Sequence, residues 1–409
     1  MSMQNESASK HSLMKGKNMR LLIERFRNDT FSTFRVGKQI GLSTGGAKKL
    51  VDEIVEGGLL VRVPPVRLYA QGRTPLNYAL NKDYGSILIV NYAEFAVTLR
   101  DLTGTVIASA PMPVGRIENE HIYKTAQIMR DMLAAHPACK LMAISIAFVG
   151  RINKKTCSYF SGQFCSCSID LEQYFRGEFG VDVIIENDLN FALLAERRGG
   201  VISDLSKDNH VVCLLSIGRG VACSIMIEDK LYTGANGIAG EIGHNSNLGE
   251  PLGRTVESFI EWDTIRDTIS ARQAAGEKTG LPADFTFADA VAAYQADDPL
   301  VCDVVDGTTV YVAQLIGNMV LFMDFDIIIL SGLVVAFGDR YVENVRAALK
   351  KILQAHNNYL QTDIIVSRGG EDLIEYGAFE AARDVVFERF IEMCVNKETN
   401  NKEEGKQSI

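Results

Sequence analysis

The sequence changes character at Gly85, where a basic segment meets an acidic one. Residues 1–85 contain 14 Lys and Arg against 7 Asp and Glu, a net charge of +7. The other residues contain 28 and 44, a net charge of −16, and the whole chain of 409 residues has a net charge of −9. Because binding to nucleic-acid phosphates needs clustered positive charge, we expect any DNA contact to lie in the first fifth of the chain.

The basic segment has the pattern of a winged helix-turn-helix. Apolar residues at helical spacing predict helices at 19–26 and 33–40, and a third helix runs from an N-cap at Ser43 or Thr44 to about residue 56. Two β-like runs at 59–63 and 76–80 would form the wing. The third helix of such domains enters the major groove, which predicts DNA contacts by Thr44, Lys48, Lys49, Arg67 and Arg73. The alternative is a small helical oligomerisation domain with a solvated basic face.

From residue 85 onward the sequence predicts an α/β fold. Core-strand patterns at 86–92, 141–148, 211–217 and 326–330 are separated by further strands and helical segments. Two strand-rich halves meet near residue 200, which predicts two lobes with a cleft between them, a preferred place for small ligands. We therefore predict a winged helix-turn-helix domain over 1–84, a first lobe over 85–200 completed by a helix at about 372–392, a second lobe over 201–371 and a disordered tail over 396–409.

Cysteine content and hydropathy bear on location and metal binding. Eight cysteines are too few for a disulfide scaffold, which predicts reduced thiols in a cytoplasmic protein. Cys157, Cys165 and Cys167 could instead bind a metal, but the chain has no CxxC pair and no histidine near them. The polar N-terminus lacks the apolar core of a signal peptide, and Asp324 and Asp326 interrupt the longest apolar stretch before membrane-spanning length.

Two short polar segments stand at predicted strand ends, where α/β folds bind ligands. Glu186-Asn187-Asp188-Leu189-Asn190 precedes a helix, and Asp188 could take a proton from a ligand hydroxyl. In Gly240-Glu241-Ile242-Gly243-His244, the glycines allow close approach of the backbone to a ligand. Glu241 offers a hydrogen-bond acceptor, and His244 can act as donor or acceptor. Each has a structural alternative, since Asn-Asp before a helix is a common cap and a single histidine is usually structural.

Three segments together resemble the ROK family, which groups sugar-responsive repressors that carry an N-terminal winged helix with sugar kinases that lack it. They are residues 43–60 (STGGAKKLVDEIVEGGLL), 186–190 (ENDLN) and 234–244 (GANGIAGEIGH). The resemblance implies the two-lobed actin-like (ribonuclease H-like) sugar kinase fold for the body of the chain. It also implies that Asp188 is equivalent to the catalytic base of the kinases, and that sugar hydroxyls contact Asn187, Asp188, Glu241, His244 and Glu257.

The chain departs from the family's kinases where nucleotide and metal would bind. Their Asp-Gly-Gly-Thr type phosphate turn is replaced by Asn91-Tyr92-Ala93-Glu94-Phe95, in which Glu94 would repel phosphate. The second phosphate turn keeps Gly218 and Gly220 but lacks the glycine that usually follows. The loop after His244 contains no cysteine, so the family's thiolate zinc site cannot form. These departures predict that the protein is not an enzyme and has no cofactor and no metal.

We therefore predict a sugar-responsive transcriptional regulator, in particular a repressor. Its partners would be operator DNA and a sugar or sugar derivative in the interlobe cleft, with no membrane, and it would act as a homodimer or homotetramer. The main alternative is an ATP-dependent sugar kinase with an added DNA-binding domain. A third hypothesis is a regulator with a degenerate cleft that responds to a partner protein. The sequence does not identify the sugar, the operator or the direction of the response.

Overall fold

The computed structural model describes residues 2–64, 76–160, 167–206, 210–245, 254–354, 362–369 and 372–407, with side chains at 2–11 and 398–407 outside the description. The helices are α1 (Ser2–Phe26), α2 (Thr33–Gln39), α3 (Thr44–Glu56), α4 (Asn119–Ala135), α5 (Leu171–Phe179), α6 (Asp188–Arg198), α7 (Glu257–Ile260), α8 (Trp262–Ala274), α9 (Phe287–Gln295), α10 (Pro299–Met323), α11 (Asp339–Gln354) and α12 (Leu373–Gln407). The strands are β1 (Phe31–Ser32), β2 (Leu60–Val63), β3 (Asn77–Leu80), β4 (Ser86–Asn91), β5 (Ala96–Asp101), β6 (Val106–Pro111), β7 (Leu141–Phe148), β8 (Arg151–Asn153), β9 (Ser158–Phe160), β10 (Asp182–Asn187), β11 (Val211–Ile217), β12 (Val221–Ile227), β13 (Lys230–Leu231), β14 (Ile327–Ser331) and β15 (Asp363–Val366).

Helices α2 and α3 form the predicted helix-turn-helix. The Ser43 hydroxyl accepts the backbone N–H of Gly46 (3.2 Å), so serine is the N-cap of α3. Gly37 of α2 lies so close to α3 that a Cβ placed on it would be 2.8 Å from the Cβ of Ala47. Only glycine therefore permits this spacing of the two helices. The fully buried side chains of α3 are Ala47, Val51 and Ile54.

A small antiparallel sheet in the order β1-β3-β2 completes the N-terminal region, with Leu60 opposite Leu80. Both predicted β-like runs are thus strands, and Arg67 and Arg73 between them lie outside the described residues. The first helix begins at Ser2, well before the predicted start at Met19. The periodicity marks only the part of α1 that is buried, because the preceding polar residues continue the helix without an apolar stripe.

Strands β8 and β9 pair with each other, and the other strands from β4 onward form two larger sheets of five strands each. In the order β10-β7-β4-β5-β6, strands β4, β5 and β6 form an antiparallel meander, and β7 pairs in parallel with β4. In the order β13-β12-β11-β14-β15, strands β11, β12 and β13 form the meander, and β14 and β15 continue in parallel. Each sheet is therefore an antiparallel meander whose first strand also pairs in parallel with a further strand, as expected for a duplicated α/β fold.

The chain divides into two compact units. The first unit comprises Met1–Phe148, Gln163–Ile185 and Ala378–Ile409, and the second comprises Val149–Gly162 and Glu186–Gly377. This division does not separate the helix-turn-helix from the first sheet, so the domain boundaries predicted from the sequence stay predictions.

Two helices need separate comment. By length and composition α10 could cross a membrane, but 61% of its most apolar window is buried, as in the core helix of a soluble protein. Helix α12 continues to Gln407, where we predict a disordered tail from residue 396. Lysine, glutamate and glutamine are good helix formers that can extend an established helix, and the disorder predicted for residues 396–409 stays a prediction.

Candidate functional site

The first polar segment caps helix α6. The Asn187 side-chain oxygen accepts the backbone N–H groups of Leu189 (2.9 Å) and Asn190 (3.4 Å), and its Nδ2 donates to the carbonyl of Gly150 (2.9 Å). Asn187 therefore has the structural role that the sequence left open as an alternative. One hydrogen of its amide group remains for a ligand.

A network of short hydrogen bonds fixes the start of α6. Glu186 is buried, and its carboxylate accepts hydrogen bonds from Asn190 Nδ2 (2.9 Å) and Lys154 Nζ (2.6 Å). Ser224 of β12 donates to Asn190 Oδ1 (2.5 Å). The cavity beside this network measures about 30 Å³, room for one or two water molecules. Glu186, Asn190 and Ser224 are engaged with one another in this network, so we assign them to positioning and not to ligand contact.

Asp188 is the first residue of α6 and is half-buried. Burial raises the pKa of Asp188 to about 6, and the nearby Glu241 raises it in the same direction, while the backbone N–H of Leu189 opposes the shift. The group is thus ionised at neutral pH and protonated in mild acid. A carboxylate of this kind accepts a hydrogen bond from a ligand hydroxyl and can receive its proton.

Two side chains of the second segment form an open chain of contacts with two side chains from elsewhere. Its members are Arg151, Glu241, His244 and Glu257. The His244 ring places Nε2 3.4 Å from Glu241 Oε2 and Nδ1 3.5 Å from Glu257 Oε1. Arg151 Nε lies 3.5 Å from the same Glu241 oxygen. All four side chains are at least one-quarter exposed, and these distances exceed ordinary hydrogen bonds. This chain of contacts therefore has donors and acceptors that a ligand can use.

The glycines of the second segment are required by close backbone packing. A Cβ on Gly237 would lie 1.9 Å from the carbonyl oxygen of Ile152, and one on Gly243 would lie 2.2 Å from that of Val221. Gly240 has φ +97°, and a Cβ there would lie 1.9 Å from the carbonyl oxygen of Cys223. The segment therefore rests directly on β8 and β12, which fixes Glu241 and His244.

We predict that Gly240→Ala lowers the free energy of unfolding by about 2 kcal/mol or more, because alanine meets both an unfavourable φ and a backbone clash. The matched control is Gly220→Ala, since Gly220 has nothing within 4 Å of the added Cβ. Urea denaturation followed by circular dichroism measures both variants. Equal stabilities would contradict the packing described for this segment.

The predicted DNA-contacting residues of α3 share one exposed face. Thr44, Lys48 and Lys49 are exposed, and Lys48 Nζ donates to Asp52 one turn along the helix (2.6 Å). The Asp52 carboxylate raises the pKa of Lys48 through this hydrogen bond and its charge, so the lysine is charged at neutral pH. The structure brings the three residues together at the N-terminal half of α3.

A family model described as ROK family matches residues 92–385. The chain belongs to the ROK family. A putative xylose repressor from Caldicellulosiruptor sp. (strain Rt8B.4) is 23% identical over 387 residues, which cover 85% of this chain and 91% of that protein. A beta-glucoside kinase from Klebsiella pneumoniae is 29% identical over 212 residues, 51% of this chain and 66% of that protein. The relatives of this ROK protein thus include both a repressor and a kinase.

Solved structures identify the fold of this ROK protein. The crystal structure of a ROK family transcriptional regulator, a homologue of the E. coli MLC protein, has a TM-score of 0.75 at 19% identity and covers 94% of this chain and 98% of that chain. The predicted fold class is confirmed: an N-terminal winged helix-turn-helix followed by the two-lobed, actin-like α/β fold of the ROK family.

The turn after β4, which we expect to differ from the phosphate turn of ROK kinases, is tied to its own backbone. The side-chain oxygen of buried Asn91 accepts the N–H of Ala93 (3.0 Å), and Phe95 has a left-handed backbone (φ +51°). In the second turn, Gly218 N–H donates to the carbonyl of Gly220 (2.9 Å). Within the described part of the chain, no group of three or more His, Cys, Asp or Glu side chains could hold a metal ion. Most of the loop after His244 (246–253) and Cys165 lie outside it.

The sequence analysis did not identify Arg151 or Lys154 as residues of this region. It named Glu186 as a member of the first polar segment but not as a buried hydrogen-bond acceptor. Arg151 opens β8 immediately after Gly150, at the end of the predicted core strand 141–148. The same strand-end rule that selected Asp188 therefore applied to Arg151. Lys154 carried no comparable signal, because its contact with Glu186 joins residues 32 positions apart.

Proposed function

We propose that the protein is a cytoplasmic, sugar-responsive transcriptional repressor that binds operator DNA through α3 and the wing. The effector is a sugar or sugar derivative contacted by Asn187, Asp188, Glu241, His244 and Glu257. The observation that carries the proposal is the open chain of Glu241, His244 and Glu257, with unsaturated and partly exposed polar groups, in a protein that also has a helix-turn-helix. The relative named a putative xylose repressor supports it.

Sugar hydroxyls match the chemistry of this site. A hydroxyl both donates and accepts a hydrogen bond, so adjacent hydroxyls can pair with carboxylates and with the imidazole between them. Thermal-shift screening of the full-length protein against monosaccharides and sugar phosphates tests the assignment, because a ligand that binds the native state raises the melting temperature. The proposal expects stabilisation by at least one sugar, and it fails if none stabilises the protein.

DNA recognition rests on the exposed face of α3, where Thr44 stands at the helix start and Lys48 and Lys49 follow. Residues at the start of a recognition helix reach base edges, while lysines contact phosphates. Arg67 and Arg73 of the wing would add phosphate or minor-groove contacts. We expect a homodimer or homotetramer on symmetric half-sites, because helix-turn-helix proteins pair in this way.

Effector binding should depend on the protonation of Asp188. Since the pKa of Asp188 is raised to about 6, the accepting carboxylate is present above this pH and lost below it. We expect sugar affinity to fall as the pH drops from 7.5 to 5, with the midpoint near 6. Isothermal titration calorimetry measures this, and Asp188→Asn should remove the dependence. A flat profile for the wild type would show that Asp188 does not accept a hydrogen bond from the sugar.

A sugar kinase is the second candidate, and the raised pKa of Asp188 is the observation that favours it, because it suits a general base. Against it stands the first turn, whose Asn91 oxygen is engaged with Ala93 and whose Glu94 would repel phosphate. Incubation with ATP, Mg²⁺ and hexoses or N-acetylhexosamines distinguishes the candidates. Sugar-dependent ADP release would favour the kinase, and its absence would favour a regulator without enzymatic activity.

A further inference from the structure

Arg151 is the one cation in the open chain of contacts, and the proposed set of sugar contacts does not include it. Its Nε lies 3.5 Å from Glu241 Oε2, the oxygen that His244 also faces. Its guanidinium lies over the ring of Phe160 at 5.8 Å, and Phe160 is its cross-strand partner in the β8–β9 pair. The side chain is 36% exposed, so part of the guanidinium is open to a ligand.

The position of Arg151 is fixed by the backbone around it. The preceding residue, Gly150, accepts a hydrogen bond from Asn187, which ties the start of β8 to the cap of α6. The following residue, Ile152, has its carbonyl oxygen against Gly237, with no room for a Cβ between them. Arg151 is thus held between the two polar segments of the site, and its position does not depend on the weak contact with Glu241.

The contact with Glu241 is too long to satisfy either group. Ordinary hydrogen bonds between N and O measure 2.7–3.2 Å, and a guanidinium has five N–H donors. If the pair were only a surface ion pair, it would contribute little to stability. A sugar hydroxyl placed between them can donate to the Glu241 carboxylate and accept from the guanidinium, which completes both groups.

We propose that Arg151 is a further effector-contacting residue that selects for one particular sugar hydroxyl together with Glu241. This inference rests on the proposed function. In the absence of sugar, Arg151 shields part of the negative charge that Glu241 and Glu257 place around His244. With sugar bound, its N–H groups donate to the hydroxyl that donates to Glu241. Sugars that lack this hydroxyl leave both charged groups without that partner and bind more weakly.

The test uses the full chain with D-xylose, D-glucose and N-acetyl-D-glucosamine, and then the monodeoxy analogues of the tightest binder. We expect Arg151→Ala to lower the affinity for the parent sugar about tenfold. One deoxy analogue should bind the wild type about tenfold more weakly than the parent, whereas Arg151→Ala should bind that analogue and the parent nearly alike. Arg151→Lys keeps the charge without the forked donors and should give an intermediate result. Arg266→Ala, which removes an exposed arginine of the same unit, should behave as the wild type.

A merely structural Arg151 would lower the melting temperature of the variant and leave the ratio between parent and analogue affinities unchanged. That result, or equal binding of the parent sugar by the wild type and Arg151→Ala, would overturn the assignment while leaving the proposed function intact. If neither these three sugars nor any member of the thermal-shift panel binds the wild type, both the assignment and the proposed effector site are wrong.

Discussion

We expect Arg383→Ala to lower the free energy of unfolding by about 3–5 kcal/mol, because the variant removes one partner from a buried ionic cluster. Arg383 of α12 is 1% exposed and Glu380 is fully buried. The Arg383 guanidinium donates to the Glu380 carboxylate, to the carbonyl oxygens of Arg27 (3.2 Å) and Leu102 (3.3 Å), and to Asn28 Oδ1 (3.1 Å). Alanine leaves the three neutral oxygens without this donor, leaves Glu380 with Arg27 as its remaining cation, and creates a cavity.

The matched control is Arg20→Ala, which breaks an ion pair between the same two helices at the surface. Arg20 of α1 pairs with Glu388 of α12, and the two side chains are 57% and 41% exposed. Exposed pairs of this kind contribute about 0–1 kcal/mol. Urea denaturation of both variants gives the comparison. Equal, small losses would show that the cluster around Arg383 does not hold α1 against α12.

The cluster matters because it anchors the helix-turn-helix region to helix α12. Arg27, the residue directly after α1, donates to Glu380 and Asp384 of α12. Farther along, Lys15 donates to Glu53 of α3 (2.6 Å) and to the carbonyl of Cys394 (3.2 Å). Helix α12 therefore contacts α1, the helix that leads into the helix-turn-helix. Helix α1 in turn contacts α3.

We expect the double variant Lys48→Ala/Lys49→Ala to lose operator affinity by roughly a hundredfold at physiological salt, because two phosphate contacts disappear from each protomer. In a dimer four contacts are lost, so the slope of log affinity against log salt should become shallower by about 3–4. Fluorescence anisotropy with a duplex selected by the protein from random DNA measures both quantities. The two residues are exposed, so the fold should be preserved.

A lysine pair elsewhere on the protein provides the control for this loss. Lys350 and Lys351 of α11 are also adjacent and exposed, but they lie in the second unit. Lys350→Ala/Lys351→Ala should leave operator affinity and salt slope close to the wild type. If this control weakens binding as much as the α3 variant, the loss comes from net charge and α3 is not the recognition helix.

Local sequence signals predicted much of this molecule. Ser43, one of the two predicted N-caps, caps α3, since a cap depends on residues a few positions apart. The core strands were likewise marked by continuous apolar runs. The prediction of polar site residues after strand β10 followed from α/β topology, in which ligands bind at the carboxyl ends of the strands.

Features that depend on distant residues escaped the sequence. Arg383 and Arg27 are separated by 356 positions, and no local pattern marks either as buried. The cap role of Asn187 could be stated only as an alternative, because a ligand contact and a cap use the same amide oxygen.

The central claim is that sugar binding at the second unit changes operator binding by the first. Its most direct test is operator affinity, measured by anisotropy, with and without the sugar that stabilises the wild type most. The account predicts at least a tenfold change for the wild type and no change for Glu241→Gln/His244→Ala, which should bind operator normally. An operator affinity that no sugar alters, or a double variant that responds like the wild type, would contradict it.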